Sequence, residues 1–209
     1  MSNMIDKLDK YYTPSELVEY VVNKTEEIIG EQNITEYIEP SAGAGAFLDY
    51  LDYLDKPYLA FDIEPEDSRV MEQDYLKLEL NYKRGRCVIG NPPFGWGNTL
   101  SVKFYKKSIE LADYIAFIQP ISQLNNNMQM YEFDLVYSED LGLHNYSGKQ
   151  LHCCFNIHKR PQNGKLNNRP DYKLKDVTII EYRRGGNSVI PPGYDYAMGA
   201  YGTGCVGKV

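Results

Sequence analysis

Apolar positions along this chain follow two rhythms. Leu17, Val18, Val21, Val22, Ile28 and Ile29 recur at helical spacing and predict an amphipathic helix. Its start is marked by Thr13-Pro14-Ser15-Glu16. Thr13 is placed to cap, Pro14 fits a first turn, and Glu16 stands three residues after Thr13, as a capping box requires. Gly30 is the expected stop. Phe47, Leu48, Leu51 and Leu54 predict a second helix that begins near Ala46 and ends before Pro57, and residues 99–111 predict a third. Short apolar runs at 34–38, 58–63, 87–90 and 114–119 read as buried strands. A further short strand fits between Asp62 and Asp74, residues 135–137 and 151–157 add a late pair, and 122–129 is a polar helix or loop. Helix and strand alternate. That predicts an α/β fold: an open, mostly parallel sheet with helices on both faces and a late antiparallel strand.

In such a sheet, ligands lie beyond the carboxyl ends of the strands. Glu39, Gly43, Asp62, Asp74 and Asn91 all follow predicted strands, so the fold should gather them along one edge. Glu39 opens a loop of tiny residues, Ser41-Ala42-Gly43-Ala44-Gly45, that leads into a helix. Glycines there let the backbone approach a ligand closely, and the helix presents free N–H groups. The loop lacks the Lys-Ser/Thr of a phosphate-binding loop, and its acid suits a ligand with a cationic amine. Asp62, about 20 residues past the glycines, is placed to accept hydrogen bonds from ribose hydroxyls.

Asn91-Pro92-Pro93-Phe94 follows the strand at 87–90. Asn91 supplies a side-chain carbonyl acceptor and Pro92 a backbone one, while two prolines in series stiffen the turn. Phe94 offers a flat apolar face. Two acceptors beside an aromatic plate suit a planar group bearing an NH2, such as the amino edge of a flipped-out adenine. The plainer reading is a strand-ending turn, since Asn-Pro is a common turn pair.

Charge adds a partner class. The net charge is −7, yet the stretch between Glu79 and Glu110 holds no acid. It carries Lys83, Arg84, Arg86, Lys103, Lys106 and Lys107 around the Asn-Pro-Pro-Phe turn, and residues 155–190 are basic as well, with Arg160 at their start. A basic patch kept for one site in an acidic protein points to a polyanion there; the plain alternative is a solvated helix face. No apolar run reaches the ~20 residues of a membrane helix, and residues 1–10 lack a secretory pattern. The cysteines, Cys87, Cys153, Cys154 and Cys205, form no C-x-x-C pair, and His144, His152 and His158 show no ligand spacing. Free thiols in a reducing cytoplasm and no metal site are the expectation. Alternation along the strand would let only one of Cys153 and Cys154 face the core.

Taken together, the motifs resemble those of S-adenosylmethionine-dependent N6-adenine DNA methyltransferases, over roughly residues 11–160. Glu39 to Phe47 is similar to that family's cofactor loop, Phe61-Asp62-Ile63-Glu64-Pro65 to its ribose-binding segment, and Gln73-Asp74-Tyr75-Leu76 to its adenine-binding segment. Asn91-Pro92-Pro93-Phe94 resembles the catalytic tetrapeptide, and Tyr11-Tyr12-Thr13-Pro14 the extra motif that precedes the cofactor loop in one class. The resemblance implies a Rossmann-like methyltransferase fold with S-adenosylmethionine as cofactor. Asn91, Pro92 and Phe94 would be catalytic. Tyr12, Thr13, Glu39, Ser41, Gly43, Gly45, Asp62, Ile63, Asp74, Tyr75 and Asn91 would contact the cofactor. DNA would lie against Lys83, Arg84, Lys103, Lys106, Lys107 and Arg160. An RNA adenine or protein glutamine methyltransferase, or a cofactor-binding subunit without its own activity, are the alternatives. The expected domains are a catalytic one at 1–160 and an extension at 161–209, basic and then rich in Gly and Tyr. Only about 50 residues follow the last family-like strand, so a partner subunit or a missing recognition region is expected.

Overall fold

The computed structural model describes residues 12–146, 148–171, 196–197 and 207–208. The apolar run at 177–182, which by its sequence reads as one more strand, lies outside them, as do Tyr11 and Cys205. The chain forms two compact units, Met1–Pro170 and Asp171–Val209. In the second, β8 (Tyr196–Ala197) pairs antiparallel with β9 (Gly207–Lys208).

The first unit runs α1 (Ser15–Ile29), β1 (Glu36–Glu39), α2 (Ala46–Tyr53), β2 (Tyr58–Asp62), β3 (Met71–Glu72), β4 (Arg86–Gly90), α3 (Thr99–Leu111), β5 (Tyr114–Pro120), β6 (Asp134–Tyr146) and β7 (Lys149–Lys159). The seven strands form one sheet in the order β3-β2-β1-β4-β5-β7-β6. β3, β2, β1, β4 and β5 are parallel, and β7 is antiparallel to both β5 and β6. The expected sheet is therefore present, closed at one side by a hairpin.

Strand alternation divides the core between two faces. Tyr37, Cys87, Ile89, Ala116 and Ile118 pack with Leu17, Val21, Val22, Phe47, Leu48 and Leu51 from α1 and α2. Ile38, Val88, Ile115 and Phe117 pack on the other face with Phe104, Tyr105 and Ile109 of α3. Burial on both faces explains why the central strands read as continuous apolar runs.

Three expectations are corrected. Thr13 does not cap α1: Pro14 holds the N-cap position, and no side chain caps there. Cys153 and Cys154 are both fully buried, because β7 lies between β5 and β6 and has both faces covered. Cys153 joins the α1/α2 face, while Cys154 contacts the Pro120 carbonyl at 3.3 Å and its pKa is pushed up to about 12 by burial. The strand expected at 135–137 spans Asp134–Tyr146. Register shifts at Leu135/Tyr137 and Asp140/Gly142 break its alternation, and its charged residues suit an edge strand. The polar stretch at 122–129 is a single 3₁₀ turn, Ile121–Gln123, followed by loop. Among the described residues, no helix is long and apolar enough to cross a membrane and no cluster could hold a metal ion.

His158 of β7 is 1% exposed and neither ring nitrogen has a partner. Its ring meets Tyr105 edge-on at 4.9 Å, and burial lowers its pKa to about 3. The unfolded chain takes up this proton near pH 6.5, while the folded chain resists until about pH 3. Its contribution to stability therefore falls as pH drops from about 6.5 toward 3, by at most about 1.4 kcal/mol per pH unit. His158→Phe should flatten the loss of stability between pH 7 and 5 in urea titrations. A decline as steep as the wild type's would exclude His158 as its source.

Candidate active site

The C-terminal edge of the parallel strands carries a cavity of about 260 Å³. The sheet order sets its walls. β1 and β4 are neighbours, although α2, β2 and β3 separate them in sequence, and their ends bring Glu39 beside Gly90 and Asn91. Tyr12, Thr13, Glu39, Ser41, Gly43, Asp62, Ile63, Asp74, Tyr75 and Asn91 all line it. Thus ten of the residues expected around a cofactor share one cavity.

Gly45 does not line it. A Cβ there would stand 2.7 Å from Asp67 Oδ2, and its φ of +82° is left-handed, so its bareness serves the 67–69 loop and the start of α2. Gly43 is the glycine at the cavity. Its N–H donates to Asp62 Oδ2 at 2.8 Å, and Glu64 N–H donates to Asp62 Oδ1 at 2.8 Å. One carboxylate thus ties the glycine loop to the end of β2, with lone pairs left over for a ligand. Asp74 accepts from Leu76 N–H at 3.0 Å and pairs with Lys77 at 3.0 Å. Tyr75 forms part of the floor, bonded to Ser108 Oγ at 2.9 Å and stacked on Phe104. Ile63 is half exposed on the same cavity, an apolar face open to a planar ligand.

Two acceptors in this cavity are buried without partners. Glu39 is 1% exposed; Oε1 accepts from Ser41 N–H at 3.2 Å, and Oε2 has no hydrogen-bond partner. Burial pushes its carboxyl well above the usual carboxylate range, and the nearby Asp62 acts in the same direction. Asn91 Oδ1 is the second. Asn91 Nδ2 donates to Thr13 Oγ1 at 3.2 Å, so the residue expected to cap α1 instead orients the Asn91 amide. Unpaired buried acceptors are costly, and a ligand's donors are what would relieve them.

Gly90 is a site residue that the sequence hid inside an apolar run. A Cβ on Gly90 would lie 2.4 Å from both oxygens of the Glu39 carboxylate. A bare backbone at the end of β4 is what lets that carboxylate fit between two strands.

Pro92 is buried outside this cavity. Phe94 lines a second, outer cavity of about 630 Å³, together with Asn98, Gln123 and Arg169. Pro93 faces the inner cavity, so the tetrapeptide forms the partition between the two.

The basic residues are not gathered here, which corrects the reading of the acid-free window. Lys83 and Arg86 both bond Glu36, the first residue of β1, and Arg84 is exposed beside them. These lie where β4 begins; the extended chain runs about 16 Å onward to Asn91. Arg160 follows β7, which runs the other way, so it too falls at that far edge. It bonds Asp113 at 3.2 Å and the Ile109 and Ala112 carbonyls that end α3. On α3, Lys106 pairs with Glu132 and Lys107 with Glu110, while Lys103 is exposed.

The chain matches no protein-family model and no curated protein. Solved structures do share its fold. A protein from Pyrococcus horikoshii, provisionally described as an RNA methyltransferase, is similar over 76% of this chain and 90% of its own, at 13% identity and a TM-score of 0.60. The 23S rRNA methyltransferase ErmE matches 73% of this chain and 70% of its own, at 11% identity and a TM-score of 0.52. Magnesium protoporphyrin IX methyltransferase from Synechocystis PCC 6803, solved with bound S-adenosylmethionine, matches 69% and 80% at 11% identity and a TM-score of 0.51. The fold is therefore that of the S-adenosylmethionine-dependent methyltransferases.

The Glu39–Gly90 contact predicts a measurable coupling. Gly90→Ala should destabilise the protein by about 1–3 kcal/mol through overpacking against the carboxylate. Adding Glu39→Ala should restore much of that loss. Urea denaturation of the four proteins in this cycle tests it, and strictly additive effects would show that the contact is not the cause.

Proposed function

We propose that this chain transfers a methyl group from S-adenosylmethionine to the exocyclic N6 amine of adenine in DNA. The observation that carries the reading is the pair of buried, unpartnered acceptors in one cavity, Glu39 Oε2 and Asn91 Oδ1. The first fits the cationic amine of the cofactor's methionine end. The second fits a neutral amine at the reacting position.

The remaining wall supports the same fit. Asp62 keeps lone pairs for ribose hydroxyls, Ile63 offers an apolar face for the cofactor's adenine, and Asp74 an acceptor for its amino group. Ser41 and Gly43 bring bare or nearly bare backbone to the cavity, and Tyr12 and Tyr75 line it. The cofactor supplies an electrophilic methyl on a sulfonium. The chain's own part is to position and polarise the amine. That amine's lone pair is delocalised into its ring, and accepting its hydrogens at Asn91 Oδ1 and the Pro92 carbonyl helps localise the pair on nitrogen. Thr13 holds Asn91 Nδ2, so Oδ1 is presented without a search over rotamers. No strong base is required before attack, because the proton leaves afterwards. Catalysis here is orientation plus fixed dipoles.

RNA is the second reading, favoured by the likeness in fold to ErmE and to the Pyrococcus horikoshii protein. Among the described residues, Lys83, Arg84 and Arg160 lie at the far edge, Arg169 lines the outer cavity and Lys103 is exposed on α3. Sparse phosphate contacts from these positions suit a short or single-stranded target, or a chain that works beside a recognition partner. Methyl transfer from labelled cofactor to DNA, RNA and protein fractions in competition decides among these. Label on protein alone would overturn the nucleic-acid reading, and adenine methylation that needs an added second protein would make this the catalytic subunit of a pair.

Two further outcomes follow. Asn91→Ala should abolish turnover while cofactor affinity by calorimetry stays within a few fold; loss of cofactor binding in a folded variant would reverse the assigned roles. Burial favours the protonated form of Glu39, so the cofactor's amine should displace a proton from it on binding. Calorimetry in buffers of different ionisation enthalpy, repeated across a range of pH, should therefore show net proton release on the acid side. Affinity should rise with pH until Glu39 ionises by itself. Glu39→Gln should remove the release and weaken binding by about 2 kcal/mol, roughly thirtyfold. Equal proton release from the variant would rule Glu39 out.

A further inference from the structure

The outer cavity has a chemistry of its own. Asn98 lines it, is 6% exposed, and has no partner for either Nδ2 or Oδ1. Its backbone is left-handed, with φ +65° and ψ +17°, which is uncommon for any residue but glycine. Asparagine usually tolerates that conformation because its amide bonds the local backbone. At the start of a helix it usually caps an N–H. Neither explanation applies: Asn98 occupies the N-cap position of α3 and makes no side-chain capping bond. A donor and an acceptor, side by side, are buried and idle on the wall that also holds Phe94.

Gln123 stands on the same cavity, 4% exposed, with Oε1 unpartnered. Its position is set by a buried polar chain. Asn156 Nδ2 of β7 donates to the Gln123 carbonyl at 2.9 Å and to Gln119 Oε1 at 2.8 Å. Gln119 Nε2 donates to Ser101 Oγ of α3 at 3.0 Å. Ser138 Oγ donates to Asn156 Oδ1 at 2.6 Å and accepts from Asn125 N–H at 2.8 Å. The loop after β5 is thereby pinned to β7, and the cavity's polar wall is held in place before any ligand arrives.

We propose that the outer cavity is the acceptor subsite, and that Asn98 is the residue that reads the base within it. This rests on the adenine reading above. Asn91 and Pro92 take the hydrogens of the amine, and Phe94 takes a face of the ring. The Asn98 carboxamide then meets the edge next to the amine, donating from Nδ2 to a ring nitrogen beside it. Both amine hydrogens are then taken, and Nδ2 is the donor that the acceptor ring nitrogen beside the amine calls for. Gln123 adds a second polar group to the same cavity. Asn98 is thus a specificity-determining residue, distinct from the group that activates the amine.

The test removes the amide and the ring nitrogen separately and together. Asn98→Gly suits the left-handed backbone and deletes only the side chain, so folding should persist. Thermal midpoint and S-adenosylmethionine affinity should match the wild type. On short single-stranded oligonucleotides carrying one adenine, kcat/KM of the variant should fall roughly tenfold, the worth of about one hydrogen bond plus its desolvation. Replacing that adenine with 1-deazaadenine or 7-deazaadenine should cost the wild type a similar factor with one of the two analogues. The variant should lose nothing further with that analogue. Unchanged kcat/KM in Asn98→Gly, or additive losses with both analogues, overturns the assignment to Asn98 while the wild type's adenine methylation stands. A wild type that methylates no adenine in DNA or RNA overturns both this proposal and the reading beneath it.

Discussion

A carboxylate held against bare backbone organises this molecule's working edge. Glu39 ends β1, Gly90 ends β4, and the two strands are sheet neighbours, so an acid is forced into a slot where only glycine leaves room. Burial makes the charged form costly unless a cation joins it. The slot is therefore unfavourable to the ionised carboxylate in the chain alone. The surrounding devices hold it in place. Asp62 clamps Gly43 to the end of β2, and Thr13 fixes the Asn91 amide across from Glu39.

The sheet makes that arrangement affordable in structural terms. Its central strands are buried on both faces, by α1 and α2 on one side and α3 on the other. Stability is thus concentrated in a layer of interlocked apolar side chains, and the strand ends are left to carry strained or unsatisfied groups. The buried acceptors without partners at Glu39 and Asn91 stand at the end of β1 and just past the end of β4, and the idle amide of Asn98 stands at the start of α3. The opposite edge is the reverse. There Arg86 and Lys83 meet Glu36, and Arg160 meets Asp113 and the last carbonyls of α3, so charge is matched and spent on folding.

The tetrapeptide Asn91-Pro92-Pro93-Phe94 separates two compartments with different demands. The inner one, lined by Pro93, Asn91, Glu39 and Asp62, presents carboxamide and carboxylate oxygens. The outer one, lined by Phe94, Asn98 and Gln123, offers an aromatic wall with donor and acceptor together. Two prolines in series stiffen this turn and hold the partition between the cavities fixed.

Much of this was legible in the sequence. Helical spacing at Leu17 to Ile29, apolar runs at the central strands and acids after strands determine an α/β sheet with a ligand edge, because periodicity and strand direction are local properties. Glu39, Asp62, Asp74 and Asn91 could be placed on one edge for that reason. What the sequence could not decide is which neighbours meet. Thr13 read as a cap, yet its hydroxyl serves Asn91, seventy-eight positions away. Gly90 read as the end of a run, yet its lack of a side chain admits Glu39. Arg84 and Lys83 lie close to Asn91 in sequence, yet an extended strand carries them to the far edge, and antiparallel β7 delivers Arg160 there as well. Both Cys153 and Cys154 are buried because β7 is covered on two faces. Each of these depends on strand order and register, which arise from packing between distant segments and leave no trace in local spacing.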